Sequence, residues 1–432
     1  MTPEIRTLTV GALTRVEGEG ALRITLRDGQ VHRAELNIYE PPRFFEAFLR
    51  GRAHTEPPDL TARVCGICPV AYQVSACNAL EDACGVRLEP DLLALRRLLY
   101  CGEWISSHAL HIVMLHAPDF LGYPDAIVMA GDHPRFVGRG MALKKAGNRL
   151  LEQIGGRAVH PINMRLGGFY SVPTRAELGP LAETLRRALD DASYIARAVA
   201  GFDFPDVEFD HELLALGAPD RYPIEDGVIR RTTGEPFGPS EFADHVVEAQ
   251  VPHSTALHAT LDGRRYITGP LARYNLNYAQ LSPLARQLAA EAGLGARCWN
   301  PFRSIVVRAV EVVYAIEEAL RIIDGYRRPD RPYVEVPARP GVGFGVSEAP
   351  RGLLYHRYEI GADGLIAAAD IVPPTSQNQA AIEHEMKRLV ESDPTLGDAE
   401  LTALCERSIR NWDPCISCST HFLTLEVDRG DR

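Results

Sequence analysis

Apolar and polar residues alternate on both sides of an Asp-Gly pair at three places along the chain. Successive side chains of a strand point to opposite faces, and Asp-Gly favours tight hairpin turns, so each pattern predicts a β-hairpin. The predicted strand pairs are residues 22–26 with 31–38, 257–261 with 265–268, and 355–360 with 365–371. We therefore expect small sheets at the periphery of a larger body.

Apolar residues at three- and four-residue spacing fill much of the remaining chain, as in helices that bury one face. The segments with this pattern are residues 92–115, 142–154, 175–199, 282–292, 304–326 and 377–390. A polar stretch rich in Pro and Gly, at about residues 203–255, interrupts the pattern and predicts an extended excursion. The expected fold class is α+β and predominantly helical.

Composition and charge narrow the classes of function. The chain is 46% hydrophobic and 24% charged, as is usual for folded globular proteins. Its formal net charge is -11 and it has no basic run that would follow a phosphate backbone, so we expect no nucleic-acid partner. The first residues lack an apolar signal region, and no window is apolar enough for a membrane span, so we expect a cytoplasmic protein.

The nine cysteines include two C-x-x-C pairs at opposite ends of the chain, Cys65 with Cys68 and Cys415 with Cys418. Four thiolates form a soft donor set that suits zinc, an iron–sulfur cluster or nickel, and ligand type alone does not choose among these. Zinc ribbons usually place their second pair about 15 to 20 residues after the first, whereas most of the chain intervenes here. A thioredoxin-like site is also disfavoured, because no strand–helix–strand unit surrounds Cys65.

The flanks of both pairs resemble the paired signatures of nickel-iron hydrogenase large subunits. The two matching segments are Arg63-Val64-Cys65-Gly66-Ile67-Cys68-Pro69 and Asp413-Pro414-Cys415-Ile416-Ser417-Cys418-Ser419-Thr420-His421. Further matches are Arg15-Val16-Glu17-Gly18, Gly156-Arg157, His160-Pro161, Gly167-Gly168, Gly269-Pro270-Leu271-Ala272-Arg273 and Ala349-Pro350-Arg351-Gly352. The resemblance covers nearly the whole chain. It implies the large-subunit hydrogenase fold, in which helices and small peripheral sheets surround a buried metal site.

The resemblance also implies a metal centre and its ligands. In this family two cysteines are terminal ligands of nickel, and two bridge nickel to an iron that carries two cyanides and one carbon monoxide. By motif position Cys65 and Cys415 are terminal, and Cys68 and Cys418 are bridging. Such a centre cleaves dihydrogen heterolytically, and a nearby base takes the proton.

Further residues resemble the family's catalytic and cofactor-binding positions. Glu17 matches the carboxylate that receives a proton from a terminal thiolate, here Cys415. Pro350 and Arg351 match the segment whose guanidinium lies over the diatomic ligands of the iron. Thr375 resembles the residue whose hydroxyl donates to a cyanide, with Ser376 as the alternative.

A second metal site and a removable tail are also implied. Glu46 and His421 resemble ligands of a site that holds magnesium or iron. Family members of this kind are cut after the terminal histidine by a maturation endopeptidase. Residues 1–421 would then form one multi-lobed unit, and residues 422–432 a removable tail.

The resemblance is closest to soluble NAD(P)-linked hydrogenases, also called sulfhydrogenases. It implies a small iron–sulfur partner subunit and NAD(P)-binding diaphorase-type subunits, because this chain has neither a Rossmann fingerprint nor cysteine-rich cluster motifs. Many relatives have histidine where this chain has Tyr72 and Glu19, which puts in doubt any proton path or cluster contact that relies on those histidines. Two alternatives are a non-catalytic scaffold of a respiratory-type complex, whose members have lost the cysteines, and a zinc-stapled structural protein.

Overall fold

A computed structural model of the protein describes residues 5–28, 30–392 and 396–420. Helices make up most of its regular structure. The helices of the described residues are α1 (Phe45–Leu49), α2 (Pro57–Thr61), α3 (Pro69–Cys84), α4 (Pro90–Leu110), α5 (Ala117–Leu121), α6 (Ala126–Asp132), α7 (Pro134–Gly155), α8 (Arg175–Ala200), α9 (Phe242–His245), α10 (Pro270–Asn277), α11 (Pro283–Glu291), α12 (Ser304–Asp324), α13 (Pro374–Ser392), α14 (Asp398–Asn411) and α15 (Ile416–Ser419). Residues His111–His116 continue α4 as a π-helical turn.

The strands form five small sheets within the described residues. The strands are β1 (Ile5–Val10), β2 (Gly20–Arg27), β3 (Gln30–Ile38), β4 (Met164–Arg165), β5 (Gly168–Phe169), β6 (Glu212–Gly217), β7 (Val228–Arg231), β8 (Val246–Ala249), β9 (His258–Leu261), β10 (Tyr266–Ile267), β11 (Gly341–Ala349), β12 (Gly352–Ile360) and β13 (Ile366–Val372). The sheet orders are β1-β2-β3, β11-β12-β13, β10-β6-β7, β4-β5 and β8-β9.

The long helices α3, α4, α7, α8 and α12 form the helical body, and their apolar residues belong to one large buried core. α8 begins with a capping box, because the Thr174 hydroxyl accepts from the Glu177 amide while the Glu177 carboxylate accepts from the Thr174 amide. Its leucines Leu178, Leu181 and Leu185 recur at three- and four-residue spacing and are buried. The six predicted helices are all confirmed, with longer ends at α7 and α13.

Two of the three predicted hairpins are confirmed; in the second the turn closes between Leu261 and Arg264, but the predicted strand pair is wrong. β2 pairs with β3, and β12 with β13, both antiparallel. By contrast, β9 pairs with β8, while β10 pairs in parallel with β6. The Asp262 carboxylate between them accepts from Arg231 and lies 3.0 Å from His245 Nδ1, so other elements hold this turn and direct the two strands to different sheets.

The polar stretch at 203–255 contains strands β6, β7 and β8, a 3-10 turn at Pro239–Glu241 and the four-residue helix α9. Apolar residues of these strands pack with β12 in a second, smaller core that includes Leu214, Phe242 and Tyr355. Among the described residues no helix combines the length and the apolar character that a bilayer crossing requires. Through this second core, the stretch at 203–255 covers one side of the β11-β12-β13 sheet.

That sheet lies directly against α3, which positions the first cysteine pair. α3 lies very close to β11 at Gly343 and Gly345. A Cβ added at Gly343 would lie 2.7 Å from Ala83 Cβ, and a Cβ added at Gly345 would lie 2.6 Å from the Ala79 nitrogen. Only glycine allows this contact. The turn between β11 and β12 holds Pro350 and Arg351 near the start of α3.

Candidate metal centre

The first cysteine pair lies between two short helices and the N-terminus of α3. Cys65 has extended backbone angles after a 3-10 turn, and Cys68 is the N-cap residue of α3. The buried Glu103 carboxylate accepts from the amides of Val70 and Ala71 at 2.6 and 3.2 Å, so a side chain of α4 caps the helix. Burial raises the pKa of Glu103.

The second pair lies at the start of α15, where Cys415 is the N-cap residue. Arg43 joins the two cysteine loops, because its guanidinium donates to the carbonyls of Val64, at 2.7 Å, and of Ser417. The Arg43 amide also donates to the Thr420 carbonyl at 2.7 Å. One arginine therefore fixes segments that are distant in sequence.

All four sulfurs converge in one buried cluster. Their ligand atoms lie within 4.8 Å of one another. The Cys65 and Cys415 sulfurs are 3.3 Å apart, those of Cys68 and Cys418 are 3.5 Å apart, and those of Cys415 and Cys418 are 2.8 Å apart. No side chain of the four exceeds 3% exposure. This arrangement can hold soft metal ions through thiolates.

The pKa values of the four thiols are not all shifted in the same direction. Hydrogen bonds from Cys415, Cys418 and Cys68 lower the pKa of the Cys65 thiol, whereas burial raises the pKa of Cys415. Metal binding requires thiolates, so loading the cluster releases protons.

Glu17 lies beside the cluster. The Cys415 thiol donates to Glu17 Oε2 at 3.2 Å, and the Ser417 amide donates to the same oxygen at 3.1 Å. The backbones also pair, because the Ile416 amide donates to the Glu17 carbonyl at 3.0 Å. This close approach needs Gly18, which has a φ of 90° and where a Cβ would lie 2.6 Å from Ile416 Cβ.

Arg351 is buried at the β11–β12 turn and pairs with Asp413, two residues before Cys415. Its Nε donates to the Asp413 carbonyl at 2.6 Å, and its Nη2 donates to the Asp413 carboxylate at 3.0 Å. Arg273 fixes the turn itself by donating to the carbonyls of Ala349 and Pro350 at 2.8 and 2.9 Å. The carboxylates of Glu311 and Glu348 surround Arg273 in turn.

The structure distinguishes Thr375 from its neighbour Ser376. The Thr375 hydroxyl oxygen accepts from the Cys415 amide at 3.0 Å. The Ser376 hydroxyl instead donates to Glu248 at 2.7 Å, which directs it toward β8. Thr375 is therefore the residue of the two that contacts the cysteine segment.

Glu46 lies outside the thiol cluster. Its carboxylate accepts from the Ile371 amide at 2.7 Å. The other predicted ligand of the second metal site, His421, lies outside the described residues, as does the tail 422–432.

Several positioning residues were not predicted from the sequence. Asp413 could have been found, because it begins the motif that contains Cys415 and Cys418. Arg43 and Glu103 act through hydrogen bonds to segments that are distant in sequence, and nothing in their local sequence indicates this. Glu40 is also new, since its carboxylate accepts from the Ser417 hydroxyl at 3.0 Å and is thereby connected to Glu17.

The residues present fit a nickel–iron centre. The thiol quartet is a soft donor set that can hold nickel. Arg351 Nη1 is buried and has no hydrogen-bond partner among the residues that the structure describes. An unpaired buried donor is costly, and the diatomic ligands of an iron would accept from it.

Comparisons with known proteins agree with this fit. The sequence pattern of the family described as nickel-dependent hydrogenase matches residues 43–134 and 259–421. The chain is 34% identical to sulfhydrogenase 1 subunit alpha of Pyrococcus furiosus, over 97% of this chain and 98% of that protein. It is 28% identical to the NAD-reducing hydrogenase HoxS subunit beta of Cupriavidus necator, over 97% of this chain and 95% of that protein.

Solved structures give the same result for the fold. The structure of an NAD+-reducing NiFe hydrogenase in the H2-reduced state aligns with a TM-score of 0.87 at 28% identity, over 96% of this chain and 99% of that one. The Ni-Fe-Se hydrogenase from D. vulgaris Hildenborough shares the fold at a TM-score of 0.78 and 22% identity, over 97% of this chain and 100% of that one. The predicted α+β large-subunit fold is confirmed, and the chain belongs to the nickel-dependent hydrogenase family.

Proposed function

We propose that the chain is the catalytic subunit of a NiFe hydrogenase that cleaves dihydrogen reversibly and heterolytically. The convergence of four buried thiols from opposite ends of the sequence, with a carboxylate 3.2 Å from one of them, carries this proposal. By motif position, Cys65 and Cys415 would bind the nickel, and Cys68 and Cys418 would hold the nickel and the iron together. A bound centre of this kind supplies the Lewis-acid and redox chemistry that splits dihydrogen.

The protein's own residues handle the proton. The Cys415 sulfur is the first acceptor, and Glu17 Oε2 lies within hydrogen-bond reach to take the proton from it. The Ser417 amide holds that oxygen in place. Glu40, half-buried, accepts from the Ser417 hydroxyl and is a second carboxylate beside the same segment.

Arg351 and Thr375 support the iron and its ligands. The ion pair with Asp413 fixes the guanidinium, which leaves Nη1 to donate to a cyanide or carbon monoxide. Pro350 lines the same turn. The Thr375 oxygen is engaged by the Cys415 amide, so its own hydrogen remains for a cyanide.

Glu46 and His421 form the second metal site, for magnesium or iron, and a maturation endopeptidase removes residues 422–432. Electrons pass through a small iron–sulfur subunit to NAD(P) on diaphorase-type subunits in the cytoplasm. The relatives named as an NAD-reducing hydrogenase subunit and a sulfhydrogenase subunit support this assignment. Iron–sulfur clusters and nicotinamide lie only on these partners.

Isotope exchange tests the proposed reaction. The purified complex is incubated in D2O under H2, and HD release is followed by mass spectrometry. We expect HD from the wild type and none from Cys415→Ala. A nickel-loaded wild-type complex that releases no HD would refute the proposed reaction. Reduction of NAD+ or NADP+ under H2 tests the nicotinamide assignment separately.

A further inference from the structure

A second group of metal-ligating side chains lies apart from the four cysteines. His253, His258 and Glu383 present ligand atoms that all lie within 4.8 Å of one another. His253 Nε2 is 2.7 Å from Glu383 Oε1, and His258 Nε2 is 3.9 Å from the same oxygen. The two imidazole rings meet edge to face, with centroids 5.5 Å apart.

Three different elements bring these residues together. His253 lies in the turn after β8, His258 is the first residue of β9, and Glu383 lies near the middle of α13. The Leu36 amide of β3 donates to Glu383 Oε1 at 2.9 Å, which orients the carboxylate. Metal ligands typically have such outer partners, because these partners fix the direction of the lone pairs.

His258 is the feature that a simple ion pair does not explain. Its side chain is mostly buried, with 11% of it exposed. Its Nε2 atom is buried and has no hydrogen-bond partner among the described residues. An imidazole nitrogen without a hydrogen-bond partner can bind a metal ion through its lone pair when the proton is on the other ring nitrogen.

Solvent reaches the group from one side. A cavity of about 510 Å³, lined by Asn37, His253 and Ser254 among others, meets the group at His253. Three protein ligands and an open position toward water are typical of zinc sites in which the fourth ligand is exchangeable.

We propose that His253, His258 and Glu383 bind one divalent borderline metal ion, with zinc the best fit. A tetrahedral zinc with bonds of about 2.0 to 2.2 Å separates its ligand atoms by about 3.3 Å. The present separations of 2.7 and 3.9 Å bracket that value, so small side-chain rotations complete the site. Magnesium and calcium fit poorly, because they prefer all-oxygen ligands to imidazoles.

The ion would tie the β8–β9 sheet to α13. This sheet already contacts the start of α13 through the Glu248–Ser376 hydrogen bond of 2.7 Å. Thr375, which directly precedes Ser376 in α13, accepts from the Cys415 amide. The proposed site therefore stabilises the helix that supports the second cysteine pair, and it takes no part in the reaction.

A zinc titration tests the site. Nickel-loaded protein, with its partner subunits, is stripped by a mild chelator and titrated with Zn2+ against a chromophoric chelator. We expect one tightly bound zinc per chain in the wild type and an affinity at least tenfold lower in His258→Gln and Glu383→Gln. The control is His245→Gln, which removes a histidine from another His–carboxylate pair, with Asp262, and should keep the wild-type affinity.

Cobalt substitution gives a spectroscopic readout of the ligands themselves. Co2+ in the wild-type site should produce the d–d absorption of low-coordinate cobalt, and this band should be absent in His258→Gln. Circular dichroism shows whether His258→Gln is folded, and Glu383→Gln provides the comparison if it is not. Equal zinc affinity in the wild type and both variants would overturn the proposal, as would a wild type that binds no zinc.

Discussion

Cys415 and Asp413 lie in a short segment at which contacts from four separate parts of the chain meet. The Cys415 amide donates to Thr375, and the Cys415 thiol contacts both Glu17 and Cys65. Asp413, two positions earlier, pairs with Arg351. These contacts constrain the backbone nitrogen and the sulfur of Cys415 and the residue two positions before it.

Glu17→Gln separates a proton relay from a metal ligand. The amide keeps the size of the side chain and accepts the Ser417 hydrogen bond, but it cannot take a proton. We expect nickel content to remain at the wild-type level and the rate of H2/D2O exchange to fall by about a hundredfold or more, the usual contribution of a positioned acid–base group.

Glu19→Gln is the matched control for this change, because Glu19 lies two residues away and is exposed. It should exchange at the wild-type rate. Unimpaired exchange in Glu17→Gln would remove Glu17 from the proton path.

At the scale of elements, the contact between α3 and β11 positions the first cysteine pair. Gly345 allows this contact, because a Cβ there would lie 2.6 Å from the Ala79 nitrogen and would also overlap the Ser75 carbonyl. Backbone atoms of a buried helix cannot move aside without shifting the whole helix.

Gly345→Ala should therefore lower the free energy of unfolding by about 2 kcal/mol or more, as overpacking does in well-packed cores. Gly341→Ala, in the same strand, is the control, because its Cβ would lie 3.4 Å from the nearest atom, the Ala83 carbonyl oxygen. Thermal unfolding followed by circular dichroism measures both variants. Equal melting temperatures would show that the packing of α3 on β11 tolerates a methyl group.

The elements also show what sequence patterns can and cannot predict. Helices with one apolar face, such as α8, were found because burial follows their periodicity. α3 was missed because nearly all of its residues are buried, so no polar face marks it. The strand pair at Asp262 was predicted wrongly because local alternation does not specify which strand is the partner.

The same limit applies to the candidate site. The cysteine pairs and Glu17 lie in local motifs, which a single sequence displays. Arg273 and Glu103 act only through contacts made in the folded chain, with partners dozens of residues away. Such roles follow from topology, and no local pattern encodes them.

At the scale of the whole molecule, the two ends of the chain are held together around the cluster. Asp119 accepts from both Arg15 and Arg410, so one carboxylate links the segment before Glu17 to the end of α14. The Arg410 guanidinium also donates to the Thr14 carbonyl at 3.1 Å. The segment that carries Cys415 is thereby fixed to the N-terminal segment.

Because the segment that carries Cys415 is fixed in this way, removal of the C-terminal tail can be tested separately. If residues 422–432 are removed after nickel insertion, the segment around Cys418 becomes the chain terminus. We expect the intact mass of active, nickel-loaded protein to correspond to a chain that ends at His421. A mass that corresponds to a chain ending at Arg432 would show that activity does not require cleavage.

The central claim is that Cys65, Cys68, Cys415 and Cys418 together hold nickel, and the nickel-to-chain ratio tests it most directly. Anaerobically purified wild type should contain one nickel per chain by elemental analysis. Cys65→Ala should lose it, while Cys77→Ala, a buried cysteine outside the cluster, should keep it. A wild-type protein without nickel, or a Cys65→Ala variant that retains the full ratio, would contradict the account.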